Sequence, residues 1–356
     1  MAHNALTRRE RVRLALAHEA TDHVPISLIG SAINAPAYIQ LDAYLRERRG
    51  VSADAFLEDS LDAQAVAPGY VGPALAEGVD LWGVRRRPVS YGLGCYDEIE
   101  HYPLAEAGSV DEVLAHDWPT ADWFDYEAMR PRIDALRRRD CAIWAYGWGN
   151  IFETAWYMRG FERMFMDFVL HPELAAAILT RVTDFYVEHY RRLLRAGRGD
   201  IDIALTGDDL GSQTGPLMSP AMWREQIMPH HVRLNAAIRE FGTKIAYHCD
   251  GSIMPLVGGF IDMGIDILEA LQFDAANMDP AELKRQHGDT LCFAGGVSVQ
   301  HTLPFGTVED VRRETRMLID TLGANGGYIC GPAHAIQAGT PPENIVAMFD
   351  EALGAP

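Results

Sequence analysis

The segment IAYHCDGSIMPL, residues 245–256, places three side chains that can bind a metal or move a proton next to one another. His248, Cys249 and Asp250 follow a short apolar run that is typical of a strand. Because side chains alternate along a strand, we expect His248 and Asp250 on one face and Cys249 on the other, among the surrounding helices. The segment is compatible with three interpretations: a metal site, a proton-transfer pair, or a histidine and an aspartate hydrogen-bonded to each other or to the backbone at a strand end.

Short apolar segments alternate with helical patterns along the whole chain, and each begins or ends at turn residues. Eight of them predict strands, at residues 23–30, 79–84, 141–150, 201–212, 244–252, 265–272, 291–298 and 327–334. Strands of this kind, without strict alternation, are typical of a parallel sheet buried on both faces. The pattern therefore predicts an α/β fold, a TIM-type (β/α)₈ barrel, forming a single domain over residues 1–356. Residues 31–78 and 85–140 are predicted to be long insertions after the first strands. A doubly wound sheet is the alternative, but no GxGxxG follows an early strand.

Helix starts can also be located from local spacing. Residues 7–18 and 172–196 predict helices, and an N-cap residue is predicted at Thr7, Ser219, Asp279, Thr307 and Thr340. Each of these precedes a segment with helical spacing, and Thr7 and Thr340 have a glutamate three residues later.

A parallel barrel carries its functional site at the carboxyl ends of its strands, so the residues there are the candidates. The candidates, besides the opening cluster, are Gly30, Ser31, Tyr146, Trp148, Glu153, Asp208, Asp209, Glu269, Gln272, Gly295, Gly296, Cys330 and His334. We assign acid–base roles to Asp208, Asp209 and Glu153, and substrate contacts to Tyr146, Trp148, Gln272 and His334.

Each acid–base candidate also has a structural interpretation. Adjacent carboxylates such as Asp208 and Asp209 can divide roles, one ionised and one with a raised pKa, but one of them can equally cap a turn. Glu153 lies near a helix start, where a negative charge is favourable without any catalytic role. His334 can equally be a loop histidine bonded to the backbone.

Composition excludes several classes of function. The 356 residues carry a net charge of −19, which disfavours binding to nucleic acid or to an anionic membrane surface. Five scattered cysteines without a CxxC pair favour a reduced, cytoplasmic protein over a disulfide framework. The first twenty residues contain no apolar signal core, and no apolar run approaches the roughly 20 residues of a membrane span. We therefore expect a cytoplasmic protein that acts on a small molecule.

Several longer motifs carry a family resemblance. They are RRERVRLALAHEATDHVPI (8–26), GVDLWGV (78–84), HYPLAEAGSVDEV (101–113), GDDLGSQTGPLMSP (207–220), YHCDG (247–251), GGVSVQHTLPFGTVEDV (295–311) and GGYICGPAHAIQAGTPPENI (326–345). In their order and coverage the chain resembles the uroporphyrinogen decarboxylase superfamily, in particular its branch of corrinoid- and pterin-linked methyltransferases. The resemblance implies a TIM-like barrel, in agreement with the strand pattern.

Two departures from the family pattern bear on function. Porphyrinogen decarboxylases carry two arginines after the first strand, whereas GSAINAPAYIQ (30–40) has none, which argues against binding an eight-carboxylate tetrapyrrole. Zinc-binding members show His-x-Cys-Gly on the fifth strand and a late cysteine, and here Asp250 and His334 stand at the two cysteine positions. The resemblance thus implies a Zn²⁺ site of His248, Asp250 and His334, with Cys249, Cys330 or Glu153 as alternative ligands.

Three functions follow as hypotheses. The first is methyl transfer between a small methylated compound or thiol and a corrinoid or tetrahydrofolate-type carrier, with a corrinoid protein as partner and a homodimer as the assembly. The second is a cofactor-free decarboxylase, in which Asp208 or Asp250 stabilises a protonated intermediate. The third is a ligand-binding barrel without catalysis.

Overall fold

The computed structural model describes residues 6–92 and 94–354, which form short strands embedded among longer helices. The strands of this described part are β1 (Ala63–Val66), β2 (Gly69–Tyr70), β3 (Arg85–Ser90), β4 (Cys95–His101), β5 (Phe124–Asp125), β6 (Ala142–Asn150), β7 (Ile203–Gly207), β8 (Lys244–His248), β9 (Ile267–Ala270), β10 (Cys292–Gly295) and β11 (Tyr328–Ile329).

The helices surround the main sheet and fill its insertions. They are α1 (Arg8–Leu16), α2 (Ala35–Arg49), α3 (Ala53–Ser60), α4 (Val110–Leu114), α5 (Arg130–Arg138), α6 (Ile151–Arg159), α7 (Phe161–Leu170), α8 (Pro172–Gly197), α9 (Pro220–Gln226), α10 (Met228–Arg239), α11 (Val257–Asp262), α12 (Pro280–His287), α13 (Thr302–Phe305), α14 (Val308–Leu322) and α15 (Pro342–Ala352). Within the described residues, none of these helices combines the length and the hydropathy needed to cross a bilayer.

The main sheet is parallel and curls into a ring. Its order is β1-β6-β7-β8-β9-β10-β11, and every neighbouring pair runs parallel. Between the two edge strands, Ser27 forms an isolated bridge with Ala63 and Ile26 forms one with Cys330. The segment at Ile26 and Ser27 thus joins β11 to β1, and the predicted TIM-type barrel is confirmed.

The first two predicted strands need correction. Residues 23–30 contribute only the bridges of Ile26 and Ser27, because Pro25 has no N–H to pair and the chain turns at Gly30. Residues 79–84 form no strand, since the carboxylate of Asp80 accepts hydrogen bonds from the backbone N–H groups of Trp82 and Val84 and bends the segment.

The second barrel strand is instead β1, which lies inside the predicted insertion 31–78. Its sequence, AQAV, is only four residues long and contains a buried glutamine, so an apolar pattern does not reveal it. The long connections before and after β1 agree with the prediction of large insertions near the start of the chain. The second of them carries the antiparallel hairpin of β3 and β4 and the short pair β2 and β5.

Alternation along the strands separates two buried layers. Small and aliphatic residues fill the interior of the barrel, among them Ala142, Ile203, Ala246, Ile267 and Ile329. Val12 and Leu16 of α1 join this interior cluster and close the amino-terminal end of the barrel. The residues of opposite parity pack between the sheet and its helices. The open end of the barrel is therefore the carboxyl end of the strands, where the candidate residues lie.

Local capping chemistry matches the sequence at four of five positions. The predicted caps Thr7, Ser219, Asp279 and Thr307 each accept a backbone N–H from the first turn of their helix. The prediction for Thr340 is wrong, because α15 begins one residue later than a threonine cap requires and has no side-chain cap.

Candidate metal and acid–base site

A cavity of about 730 Å³ opens at the carboxyl ends of the barrel strands. Its polar and aromatic lining comes from β6, α6, the loop after β7, the end of β8 and the loop after β11. The residues concerned are Tyr146, Trp148, Asn150, Glu153, Tyr157, Asp209, His248 and His334. A cavity of this size is typical of a small-molecule site.

His248 is oriented by a buried glutamate on the neighbouring strand. β8 and β9 pair in a register that sets His248 beside Glu269, and His248 Nδ1 lies 2.6 Å from Glu269 Oε2. Glu269 is fully buried. It lies two residues after Ile267, which faces the barrel interior, so the side chain of Glu269 points to the interior as well. This contact holds the imidazole in one orientation and leaves Nε2 available to the cavity side.

The space that Glu269 occupies depends on a glycine. Gly30 has φ +66°, and a Cβ atom there would lie 1.9 Å from Glu269 Oε2. Only a residue without a side chain fits under the carboxylate in this left-handed conformation. The strand-end candidates included Glu269, but no role was assigned to it. The parity argument used for His248 would have placed Glu269 in the interior as well.

His248, Asp250 and His334 form a compact set of potential metal ligands. One ligand atom from each residue lies within 4.8 Å of the other two. His334 Nε2 is 3.7 Å from Asp250 Oδ2, and the two imidazole centroids are 5.5 Å apart. The sequence prediction of these three residues as one cluster therefore agrees with their placement.

The donor set fits a zinc ion. Asp250 Oδ1 is buried and has no hydrogen-bond partner among the described residues, a costly state that a bound cation would relieve. Two imidazoles and a carboxylate are a known catalytic zinc set that leaves a fourth position open. The hydrogen bond from His248 to Glu269 supplies the outer carboxylate that orients such ligands.

The electrostatics of the cluster are dominated by carboxylates. Burial lowers the pKa of His248, but Glu269, Asp209 and Asp250 outweigh that effect and raise it well above its ordinary value. Burial also raises the pKa of Asp250 and of Glu269, with His248 opposing the shift in both cases. A metal entering this cluster would have to displace the proton of His248, so its binding releases a proton.

Asp209 borders the same cluster from the loop after β7. Its Oδ1 accepts a hydrogen bond from the backbone N–H of Asp250 at 3.1 Å and lies 3.7 Å from His248 Nε2. The side chain is partly exposed to the cavity. Asp209 can therefore both fix the loop that carries Asp250 and accept a proton or a hydrogen bond from a ligand.

Glu153, in the first turn of α6, is a buried carboxyl group on the wall of the cavity. Its Oε1 accepts from the hydroxyl of Tyr157 and its Oε2 accepts from the amide of Asn150, each at 2.6 Å. Burial, with the charges of Asp209 and Asp208, raises the pKa of Glu153 to about 8. Glu153 thus holds a proton at neutral pH, as a general acid must. Tyr157 and Asn150 were not predicted, because nothing in their spacing indicated that they meet Glu153.

The model of the family described as "Uroporphyrinogen decarboxylase (URO-D)" matches residues 147–353 of the chain. The chain belongs to the uroporphyrinogen decarboxylase family. The match begins within β6 and includes His248, Asp250, Asp209 and His334. The family resemblance seen in the sequence motifs is thereby confirmed.

One curated protein and one solved structure are similar to this chain. The uroporphyrinogen decarboxylase of Syntrophotalea carbinolica is 23% identical over 188 residues, which is 50% of this chain and 48% of that protein. The chain thus matches about half the length of this curated relative. A methyltransferase from Methanosarcina mazei has the same fold, with a TM-score of 0.68 and 18% identity over 98% of this chain and 99% of the other.

Asp208 does not lie in the cavity of this family member, and its predicted acid–base role needs correction. Its carboxylate is fully buried and accepts from the backbone N–H groups of Phe152 and Glu153, at 2.9 and 2.8 Å. His231 Nε2 contacts the same carboxylate at 2.5 Å. Asp208 therefore caps the first turn of α6 from another strand and positions Glu153 without touching the cavity.

Gln272 and the two alternative thiols also lie outside the cavity. Gln272 is buried, and its Oε1 accepts from the backbone N–H of Gly251 at 3.0 Å, which shapes the loop that follows β8. Cys249 and Cys330 belong to the buried layer between the sheet and the helices, and Cys249 Sγ accepts from the N–H of Leu210. Among the described residues, neither thiol joins the ligand cluster, as strand parity indicated for Cys249.

Tyr146 and Trp148 line the cavity, as predicted. Their ring centroids are 4.5 Å apart, and Trp148 leaves 54% of its surface exposed. Trp148 has φ +62°, an unusual conformation for a residue with a side chain, and the hydroxyl of Tyr190 donates to its carbonyl at 2.8 Å. Such strained positions are maintained only where the surrounding structure holds them in place.

Proposed function

We propose that this protein transfers a methyl group between a small methylated compound or thiol and a corrinoid or pterin carrier. The observation that carries the proposal is the cluster of His248, Asp250 and His334, whose ligand atoms lie within 4.8 Å of one another around a buried and unpartnered Asp250 oxygen. A corrinoid protein as partner and a homodimer as the assembly belong to the same proposal.

Each group of the site has a distinct task in this reaction. Zinc held by the three ligands would supply Lewis acidity, which polarises an ether oxygen or favours a thiolate. Glu269 fixes the orientation of His248 through its contact with Nδ1. Glu153 carries the proton that a leaving oxygen requires, and the rings of Tyr146 and Trp148 cover the cavity wall.

The charge of the cavity supports a substrate without many carboxylates. Among the described residues that line it, the single arginine, Arg132, already donates to Glu58 Oε1 at 3.0 Å and to Gln64 Oε1 at 2.7 Å. The titratable groups nearer the cluster are mostly acids. A tetrapyrrole with eight carboxylates would therefore lack an electrostatic partner, which favours methyl transfer over porphyrinogen decarboxylation.

Zinc binding provides the first test. We expect chelator-treated wild-type protein to take up one zinc ion per chain, measured by elemental analysis after dialysis. His334→Ala should weaken zinc binding at least as much as the roughly 10–100-fold that loss of an outer-shell partner causes. His171→Ala removes another partly exposed histidine far from the cluster in sequence and should leave the stoichiometry unchanged.

Turnover provides the second part of the same test. Zinc-loaded protein should transfer the methyl group of methylcobalamin to 2-mercaptoethanol, and the decrease in methylcobalamin absorbance measures this reaction. The chelator-treated protein should not catalyse it. A wild-type protein that takes up no zinc, or that transfers no methyl group from methylcobalamin or from 5-methyltetrahydrofolate, would contradict the proposal.

A metal-free decarboxylase is the competing function, and the protonated Glu153 favours it, because a buried general acid can protonate a carbanion. Release of carbon dioxide from uroporphyrinogen by the chelated protein would support this alternative over methyl transfer.

A further inference from the structure

A second cavity, of about 450 Å³, lies beside the first one and has a different character. Its walls are aromatic rings from the insertion before β6 and from α8, namely Trp82, Phe124, Phe185, Tyr186 and His189. Trp148, Asn150 and Tyr157 line both cavities, so the two spaces share one wall. We call this space the aromatic cavity.

His189 gives the aromatic cavity a defined hydrogen-bonding group. The side chain is 2% exposed, and its Nδ1 lies 2.9 Å from the hydroxyl of Tyr126. Because that hydroxyl donates to the carbonyl of Ala121 at 3.1 Å, we assign the proton of the imidazole to Nδ1, from which the hydroxyl accepts. Within residues 6–92 and 94–354 no hydrogen bond engages Nε2, and in this tautomer Nε2 is left as an acceptor.

The imidazole is held as a neutral aromatic group. Its ring stacks on Phe185 with an interplanar angle of 18° and meets Phe124 edge-on at 4.6 Å between centroids. Burial lowers the pKa of His189 to about 4. At neutral pH, Nε2 therefore accepts a hydrogen bond and carries no charge.

The arginine of the aromatic cavity is paired within the protein. The guanidinium of Arg86 forms an ion pair with Asp80 and lies 4.9 Å from the ring centroid of Tyr157. This pairing leaves Arg86 occupied and disfavours a ligand with a negative charge, as does the carboxylate of Asp97 in the same lining.

We propose that the aromatic cavity binds a neutral planar ring that carries one O–H or N–H donor, with the donor directed to His189 Nε2. The rings of Trp82, Phe124, Phe185 and Tyr186 supply stacking and edge contacts, and His189 selects rings with a donor. The proposal concerns the aromatic cavity beside the first one and does not depend on zinc or on methyl transfer.

A matched pair of probes tests it by fluorine NMR. 4-Fluorophenol has the ring and the donor, and 4-fluoroanisole has the same ring with the donor methylated. We expect the wild-type protein to bind 4-fluorophenol roughly tenfold more tightly, the size of one buried hydrogen bond. His189→Phe keeps an aromatic ring but removes the acceptor, so the two probes should bind this variant about equally.

Two further variants make the result decisive. Tyr126→Phe removes only the hydroxyl that fixes the His189 tautomer, so it should also reduce the preference for 4-fluorophenol even if His189→Phe does not fold. Asp250→Asn alters the zinc cluster and should leave the preference unchanged. Equal binding of the two probes to the wild-type protein, or a preference that survives both His189→Phe and Tyr126→Phe, would overturn the proposal.

Discussion

At the scale of single residues, the site depends on where protons reside. Glu153 is buried beside Asp209 and Asp208, and the three donors around its carboxylate only partly compensate for that environment. Its pKa of about 8 means that the folded protein retains a proton that the unfolded chain loses near the ordinary glutamate pKa of 4.5. The proton therefore links the stability of the fold to pH.

The stability contribution of Glu153 is fully present below pH 4.5 and is lost as the pH rises towards about 8. We expect Glu153→Gln, which is neutral at every pH, to gain stability relative to the wild type across this window, by an amount on the order of a few kcal/mol. Urea denaturation at pH 5 and pH 8 measures the difference. Glu106→Gln, at an exposed position, controls for the amide substitution, and a pH-independent difference for Glu153→Gln would contradict the assignment.

The sequence predicted the residues of the cluster better than their surroundings. His248, Asp250 and His334 were found because they follow strands whose carboxyl ends meet at one end of a barrel. The sequence assigns acid–base roles to Asp208 and Asp209 together, as adjacent carboxylates that can divide roles, yet one step along the chain turns a side chain to the opposite side. Which of two adjacent acids faces the cavity depends on the exact end of the strand, and the sequence does not specify that position.

At the scale of elements, the start of α6 is fixed by a residue that lies far away in sequence. Asp208 caps the N–H groups of Phe152 and Glu153 while it contacts His231 of α10. The caps at Thr7 and Thr307 could be predicted because their partners are three residues away. The cap of α6 could not be predicted, because Asp208 and the N–H groups that it caps are more than fifty residues apart in the sequence. No local spacing indicates such a contact.

Removing this cap should destabilise the protein without affecting metal binding. We expect Asp208→Ala to lower the free energy of unfolding by roughly 3–5 kcal/mol, because it leaves His231 and two backbone N–H groups buried without their partner. Asp208→Asn keeps a hydrogen-bond acceptor and should lower the free energy of unfolding by less. Urea denaturation measures both changes, and zinc stoichiometry serves as the control. An Asp208→Ala variant of normal stability that no longer binds zinc would show that Asp208 belongs to the site itself.

At the scale of the whole molecule, strand pairing around the ring is shortest where its two ends meet. The segment at Ile26 and Ser27 pairs with β1 and β11 through one bridge on each side, whereas β6, β7 and β8 pair over three to five positions. The carboxylate of Asp62 strengthens this junction, since it accepts from the N–H of Ile26 at 2.9 Å and pairs with the buried guanidinium of Arg11.

Asp62→Ala should therefore open the junction. We expect a loss of roughly 3–5 kcal/mol in the free energy of unfolding, because the buried charge of Arg11 would lose a carboxylate and keep Asp22 as its ion-pair partner among the described residues. Thermal and urea denaturation measure the loss, and Asp59→Ala, on the exposed surface nearby, is the matched control. If both variants were equally stable, Asp62 would not support the closure of the ring.

The barrel itself could be predicted because alternating apolar segments and helices admit few architectures. The position of the second strand could not be predicted, because β1 has only four residues and one of them is a glutamine. The segment VDLWGV is more apolar, yet it packs within the insertion. The burial of Trp82 there, against Phe185 of α8, depends on a helix about a hundred residues later. Local hydrophobicity cannot distinguish a segment that joins the barrel sheet from one that packs within the insertion.

The contact between Gly30 and Glu269 also constrains how this site can diversify. A carboxylate at residue 269 and any side chain at residue 30 exclude each other, because the two would occupy the same volume. Residues 30 and 269 are far apart in the sequence, yet we expect the amino acids at these two positions to covary among homologues. A homologue with alanine at residue 30 would have to orient its histidine by some other group.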